Sequence, residues 1–344
     1  MPDLLLLAAT DGSAKTWFYA GFVAMILFFL ALDLGVFNRT SHETTLREAL
    51  TWTAVWIATA LCFGAGVYFI YEHKWLGIGM EVAQGAGKAA RDVGGAEAAG
   101  LYLTAWMLEY ALSMDNIFVM ALIFRYFMVP AIHQHRVLFW GILGALVLRG
   151  VMIWVGAELI HAFHWIEYVF GAFLVFTGLK MLKAGDAEID PERNPLVRLA
   201  RKLVRVSPAF DGDRFITTVD GAKAVTPLFL VLLVVETTDV VFAVDSIPAV
   251  FGVTRDPFLV FTSNIFAILG LRSLYFALAA IMGRFEHLKY ALCLILVFIG
   301  SKMLATMWGF SMSPTLSLVI VASTLVLGVV SSLLFGKRQQ RGAA

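Results

Sequence analysis

The stretch 227–251, PLFLVLLVVETTDVVFAVDSIPAVF, places Glu236, Asp239 and Asp245 inside an apolar run long enough to cross a bilayer. An ionisable side chain at membrane depth costs roughly 2.5 to 3.5 kcal/mol on insertion scales, so three in one span require partners, water or a cation. The fold class and the chemistry both follow from how those charges are satisfied.

Around that stretch the whole chain has the composition of a membrane protein. Of its 344 residues 60% are hydrophobic and 15% charged, and the mean hydropathy is +0.82. Apolar windows of membrane-crossing length occur at 17–37, 50–71, 101–127, 137–160, 166–182, 227–251, 258–281, 288–307 and 314–335. The first lies too far from Met1, and lacks the basic flank and small-residue site, to be a removed signal peptide. The expectation is an all-α polytopic membrane protein of about nine transmembrane helices.

Lys and Arg distribution orients the chain. With nine spans, one side holds 17 of the 26 basic residues and the other only Lys15, Lys74, Lys88, Arg91 and Arg255. The positive-inside rule then puts the N-terminus outside and the tail with Lys337, Arg338 and Arg341 in the cytoplasm. A net charge of +1 gives no sign of a nucleic-acid partner. Cys62 and Cys293 both fall in apolar windows, where a thiol is more often a small hydrophobe than half of a disulfide.

The remaining four bases, Arg149, Lys180, Arg272 and Lys302, lie within spans and expose a duplication. Asp115, Arg149 in LGALVLRG and Lys180 in VFTGLKML recur as Asp245, Arg272 in FAILGLRS and Lys302 in VFIGSKML, at offsets of 130, 123 and 122 residues. Three spans per copy make the second copy enter from the opposite face, so spans 3–5 and 6–8 should form two inverted three-helix repeats, an architecture of secondary transporters. The chain divides into 1–100 (two spans and a linker), 101–183 (first repeat), 184–225 (linker with an amphipathic helix), 226–307 (second repeat) and 308–344 (last span and basic tail).

Superposing the copies pairs Glu109 with Asp239 and Asn116 with Ser246, and leaves Glu236 in the second copy alone. Six positions on a straight helix is about 240°, which sends Asp239 and Asp245 to different sides. Bringing such oxygens onto one centre requires local unwinding, for which Pro248 offers a cause by freeing the Val244 carbonyl. Broken helices of this kind coordinate cations at the midplane. Carboxylate, carboxamide, hydroxyl and carbonyl oxygens suit Mg²⁺, Ca²⁺ or Mn²⁺, whereas zinc and copper sites would show Cys or His at depth. A thioether from Met114 or Met107 would favour manganese over calcium, although methionine in a membrane helix is more often packing.

The plainer reading is that the five core acids, Glu109, Asp115, Glu236, Asp239 and Asp245, neutralise Arg149, Arg272, Lys180 and Lys302 as buried ion pairs. Pairing alone does not account for their recurrence at equal depth in two copies. Both roles fit if the bases hold the acids ionised and exchange partners as a site alternates. Lys180 and Lys302 also lie near span ends, where they would snorkel to the surface.

EYALSMDNIFV, HRVLFWGILGALVLRG, HWIEYVFGAFLVFTGLKML, the segment from TPLFLVLLVVETTDVV through FAILGLRSLYF, and LVFIGSKML resemble the signature segments of the TerC/Alx family of bacterial integral membrane proteins, from about residue 95 to 305. The resemblance implies export of Mn²⁺ across the inner membrane, with a link to tellurium resistance. It also implies a metal site of Glu109, Asp115, Asn116, Glu236, Asp239 and Asp245. Manganese would be substrate, with no permanently bound cofactor.

Other features point elsewhere or nowhere. Asp33 is an intramembrane acid outside the duplicated core. His133, His135, His161 and His164 lie in short loops without Cys or acidic partners. Gly85 to Gly100 lacks the context of a phosphate loop. In the linker, Asn194-Pro195 opens a basic amphipathic helix suited to an anionic leaflet, and FITTVDGAKAV suggests a hairpin turning at Asp220-Gly221. No nucleophile–base pair points to an enzyme. Besides a Mn²⁺ exporter, coupled to protons if the emptied carboxylates take them up, two classes remain open. One is a tellurium oxyanion transporter using Arg149 and Arg272. The other is a scaffold or metal-delivery factor for exported metalloproteins.

Overall fold

The computed structural model describes residues 20–31, 45–80, 82, 90–163, 165–183, 195–279, 288–310 and 312–335, with residues 76, 115, 195, 196, 279, 288, 333 and 335 described by backbone alone. Polar or conformationally restricted residues set the ends of its helices. Thr45 caps α2 (Leu46–Glu72) by accepting from the Glu48 amide at 3.3 Å. Helices α3 (Gly95–Tyr126) and α4 (Ala131–Ala162) start after Gly94 and Pro130. Proline occupies the first turn of α7 (Pro227–Val253) and of α8 (Pro257–Leu269), where its missing donor costs nothing. Asp256 caps α8 through the Phe258 amide (2.9 Å) and accepts from the Tyr71 hydroxyl (2.7 Å), which ties this turn to α2. The other helices are α1 (Ala20–Ala31), α5 (Ile166–Lys183), α6 (Pro195–Leu203), α9 (Leu271–Ala279), α10 (Leu288–Ala305) and α11 (Pro314–Phe335).

The protein is an all-α polytopic membrane protein. Six of the described helices are long and apolar enough to cross a bilayer, and the bent pair α8–α9 makes a seventh if it counts as one span. The sequence suggested nine. The two windows that fall short are α1, described only over 20–31, and α5, whose 18 residues include Glu167, Lys180 and Lys183.

Broken helices were expected, with the break at Pro248. Instead α7 runs unbroken through Pro248, and the break lies between α8 and α9, at Gly270, with a bend of 44°. Proline removes one hydrogen bond and bends a helix more readily than it ends one. Here it stands in the last turns of α7, with Ile247, Ala249, Val250 and Phe251 all buried around it. Trp56 and Tyr110 pack against Gly270.

Helices in lipid associate by close packing more than by exclusion of water, which favours glycine at contacts. One close approach joins α5 to α10. A Cβ on Gly171 would meet the Gly300 carbonyl at 3.0 Å, and one on Gly178 would meet the Cys293 carbonyl at 3.0 Å. Later residues of α5 thus face earlier residues of α10, so the two helices run antiparallel. A second core region gathers Phe22, Phe63, Phe258, Phe261 and Phe266 from α1, α2 and α8, with Phe63 and Phe266 4.5 Å apart between centroids.

The linker contains the expected hairpin. Strands β1 (Ile216–Val219) and β2 (Ala222–Val225) pair antiparallel, and Asp220 and Gly221 both take positive φ (52° and 77°), as a tight primed turn requires. Arg136 of α4 holds this linker by an ion pair to Asp213 and by stacking over Phe215.

Candidate functional site

Two glycines one turn apart on α4, Gly141 and Gly144, let α7 approach closely. Val235 packs on the first, and the Glu236 carboxylate lies over the second, where a Cβ would overlap it. That approach brings Arg149, further along α4 and 1% exposed, onto the acids of α3 and α7. Its Nε and Nη2 donate to Asp239 Oδ2 and Oδ1 at 3.1 and 2.9 Å, the two-point geometry in which guanidinium binds carboxylate best. Its Nη1 forms an ion pair with Glu109 and donates to Ser246 Oγ at 3.4 Å. Asn116 Nδ2 donates to Asp239 Oδ1 at 3.5 Å. All five side chains are buried.

With both carboxylates charged against one guanidinium, this knot would carry one negative charge in excess. Its hydrogen bonding is also incomplete. Glu109 Oε2, Asn116 Oδ1 and Glu236 Oε2 are buried acceptor oxygens with no hydrogen-bond partner among the described residues. Buried polar atoms are nearly always paired, and each orphan costs about 1 to 3 kcal/mol. Three hard oxygen donors in want of a partner suit a small cation.

The unbroken α7 keeps the remaining acids apart. Asp245 accepts from the Thr177 hydroxyl of α5 at 3.3 Å. Lys180, one turn further along α5, is exposed. Asp115 lies on α3, but its side chain is outside the described residues. Among the described residues no three His, Cys, Asp or Glu side chains converge as a metal centre. Thus Glu109, Asn116 and Asp239 are brought together, whereas Glu236 faces Gly144 and Asp245 faces α5.

Arg272 is buried just past the α8–α9 break. Lys302 points toward the Gly252 carbonyl (3.4 Å) and lines a cavity of about 610 Å³ at the junction of α7 and α8, with Arg91, Arg255, Thr254 and Thr306. Arg255 pairs with Glu167 of α5. Burial pulls its guanidinium below the ordinary value, and Glu167 opposes that pull.

Two residues escaped sequence reasoning. Thr177 gave no signal, because hydroxyls in apolar helices usually bond their own backbone, as Thr237, Thr238 and Thr262 do here. Asn264 is fully buried in α8 with neither amide atom partnered among the described residues. Its position in FTSNIFAIL is readable by the criterion that marked the acids. The histidines expected in short loops lie instead on α4: His133 and His135 in its first turns, where His135 stacks on Phe276 at 4.4 Å, and the exposed His161 in its last, while His164 lies outside the described residues, as does Asp33.

Charged side chains paired inside a bundle of apolar helices are rare in membrane proteins and mark a candidate functional site. The model of the integral membrane protein TerC family matches residues 94–341. An uncharacterised membrane protein of Myxococcus xanthus is 46% identical over 94% of this chain and 93% of its own. The "Putative membrane-bound redox modulator Alx" of Escherichia coli K12 is 45% identical over 86% of this chain and 87% of its own. A Rickettsia felis membrane protein is 36% identical over 91% and 96%. No solved structure matches. The chain belongs to the TerC family of integral membrane proteins.

Proposed function

We propose that the protein is a secondary transporter that exports Mn²⁺ across the bacterial inner membrane, N-terminus outside and basic tail in the cytoplasm. The observation that carries this reading is the pair of orphaned oxygens on Glu109 and Asn116, in a knot that would carry surplus negative charge. In this arrangement Arg149 stands where a cation would bridge Glu109 and Asp239. Loading therefore requires the guanidinium to withdraw, and its return expels the ion. Asp115 and Asp245 would complete the ligand set, and protons would neutralise the acids on the return.

The α5–α10 contact supports inverted repeats. Gly178 and Gly300, like Gly171 and Cys293, are 122 residues apart, the offset of the third helices, so exchanging the halves turns one contact into the other. Anion transport through Arg149 is disfavoured, because its donors already serve Glu109, Asp239 and Ser246. The scaffold or metal-delivery reading differs in predicting metal binding without flux.

The test is Mn²⁺ flux into proteoliposomes, wild type beside Asp245→Asn, with Ca²⁺ and an imposed pH gradient as further arms. Flux lost in a folded mutant supports the exporter, and the gradient decides coupling. Absence of flux from folded wild type overturns it in favour of the scaffold.

A further inference from the structure

The linker helix α6 turns one face inward and leaves an unusual one outside. Val197 is fully buried, whereas Leu199, Leu203 and Val204 are 49%, 73% and 41% exposed beside Arg198, Arg201, Lys202 and Arg205. Leu199 and Leu203, four apart, form one apolar stripe flanked by cations.

The stripe leads into a cavity of about 670 Å³, in the size range of ligand sites. Arg201, Lys202 and Arg205 supply its charge, and Phe127, Leu203 and Leu230 give it apolar walls. Among the described residues that line it none is acidic, and Asp220 approaches Arg205 only to 4.0 Å with both well exposed. The backbone that carries Arg205 is fixed against the hairpin. The Val225 amide donates to the Arg205 carbonyl and the Ser207 amide to the Val225 carbonyl, both at 2.8 Å. Pro227 opens α7 at the same cavity, so the positive end of a 27-residue helix adds to the field.

We propose that this cavity binds an anionic phospholipid, its phosphate held by Arg201, Lys202 and Arg205 and its acyl chains laid along Leu199, Leu203 and the wall of Phe127 and Leu230. A soluble phosphate would satisfy the cations but would have no use for an exposed leucine stripe. The combination of basic head and apolar side matches a lipid at headgroup depth. The site is independent of the cation reading and would stand if that reading failed.

The experiment uses the full chain purified in detergent and titrated separately with phosphatidylglycerol, phosphatidylcholine and inorganic phosphate. Thermal unfolding and lipid retention in native mass spectrometry are the readouts. Phosphatidylglycerol should raise the midpoint and be retained at least several-fold more than phosphatidylcholine. The variant Arg201→Gln/Lys202→Gln/Arg205→Gln should lose that preference while keeping the wild-type midpoint in phosphatidylcholine. Equal retention of the two lipids by wild type overturns the proposal without recourse to any variant. An equal shift from inorganic phosphate also overturns it, in favour of a free-anion site, as does a folded triple variant that keeps the preference.

Discussion

Glu109 and Asp239 stand 130 residues apart, the offset relating the first helices of the two halves, and both bind one guanidinium, that of Arg149. Acids that the sequence spacing pairs thus meet at a single cation drawn from the chain itself. A buried pair of this kind contributes little net stability, yet removing one partner exposes the full cost of the charge left behind.

Arg149→Met should therefore destabilise the protein by about 3 to 5 kcal/mol. Adding Glu109→Gln should recover part of that loss, because one uncompensated charge is then removed. Thermal unfolding in detergent over the full double-mutant cycle measures both. Additive losses would mean that the two side chains do not interact.

Asp245 has a hydroxyl from Thr177 as its hydrogen-bond donor and is only half-buried, so its neutralisation should be tolerated by the fold. Asp245→Asn and Asp115→Asn are each expected to abolish protection of cells against excess Mn²⁺ while the protein remains folded. Thr177→Val should cost about 0.5 to 1.5 kcal/mol, the worth of one hydrogen bond. Metal-tolerance growth beside membrane levels of each variant is the readout, and full protection by either acid mutant moves the site elsewhere.

Because α7 continues through Pro248, restoring a donor there should change little. Pro248→Ala is expected to shift stability by no more than about 1 kcal/mol and to leave Mn²⁺ flux intact. Flux lost from a folded Pro248→Ala protein would show that a carbonyl freed by the proline serves as a ligand.

Gly300 has no room for a methyl group, since a Cβ there would lie 2.6 Å from the Gly171 carbonyl. Backbone cannot yield as a flexible side chain can, so Gly300→Ala should cost at least the 1 to 3 kcal/mol or so typical of overpacking. Gly66, with nothing within 4 Å, is the control at which alanine should be harmless to packing. Unfolding midpoints of the two variants make the comparison.

Cys62 is exposed on α2 and Cys293 is fully buried on α10, and no disulfide joins them. A maleimide small enough to partition into the detergent should label Cys62 in the folded protein and Cys293 only after denaturation. Reductant should leave the unfolding midpoint unchanged. A midpoint lowered by reductant would reveal a disulfide.

Much of this was legible because charge in an apolar run is costly and therefore informative. Arg149, Glu109 and Asp239 stood out for that reason, but which base meets which acids depends on helix packing that the spacing does not give. The 240° arithmetic also foretold that Asp239 and Asp245 would diverge on a straight helix. The inference that went wrong was that a proline must relieve the divergence by unwinding α7. A proline's effect depends on how tightly its neighbours are packed, and no single sequence displays that. The bend at Gly270 was hidden similarly, since glycine in a span marks close packing as often as a hinge. Thr177 was hidden because a hydroxyl has a partner in its own helix by default.

The contact between α5 and α10 has a further consequence. An interface in which Gly171 meets Gly300 and Gly178 meets Cys293 is the same patch used twice in opposite directions, the self-complementary relation found in a symmetric dimer. Two separately made halves, divided within residues 184–194 ahead of the linker helix, are expected to reassociate through this contact.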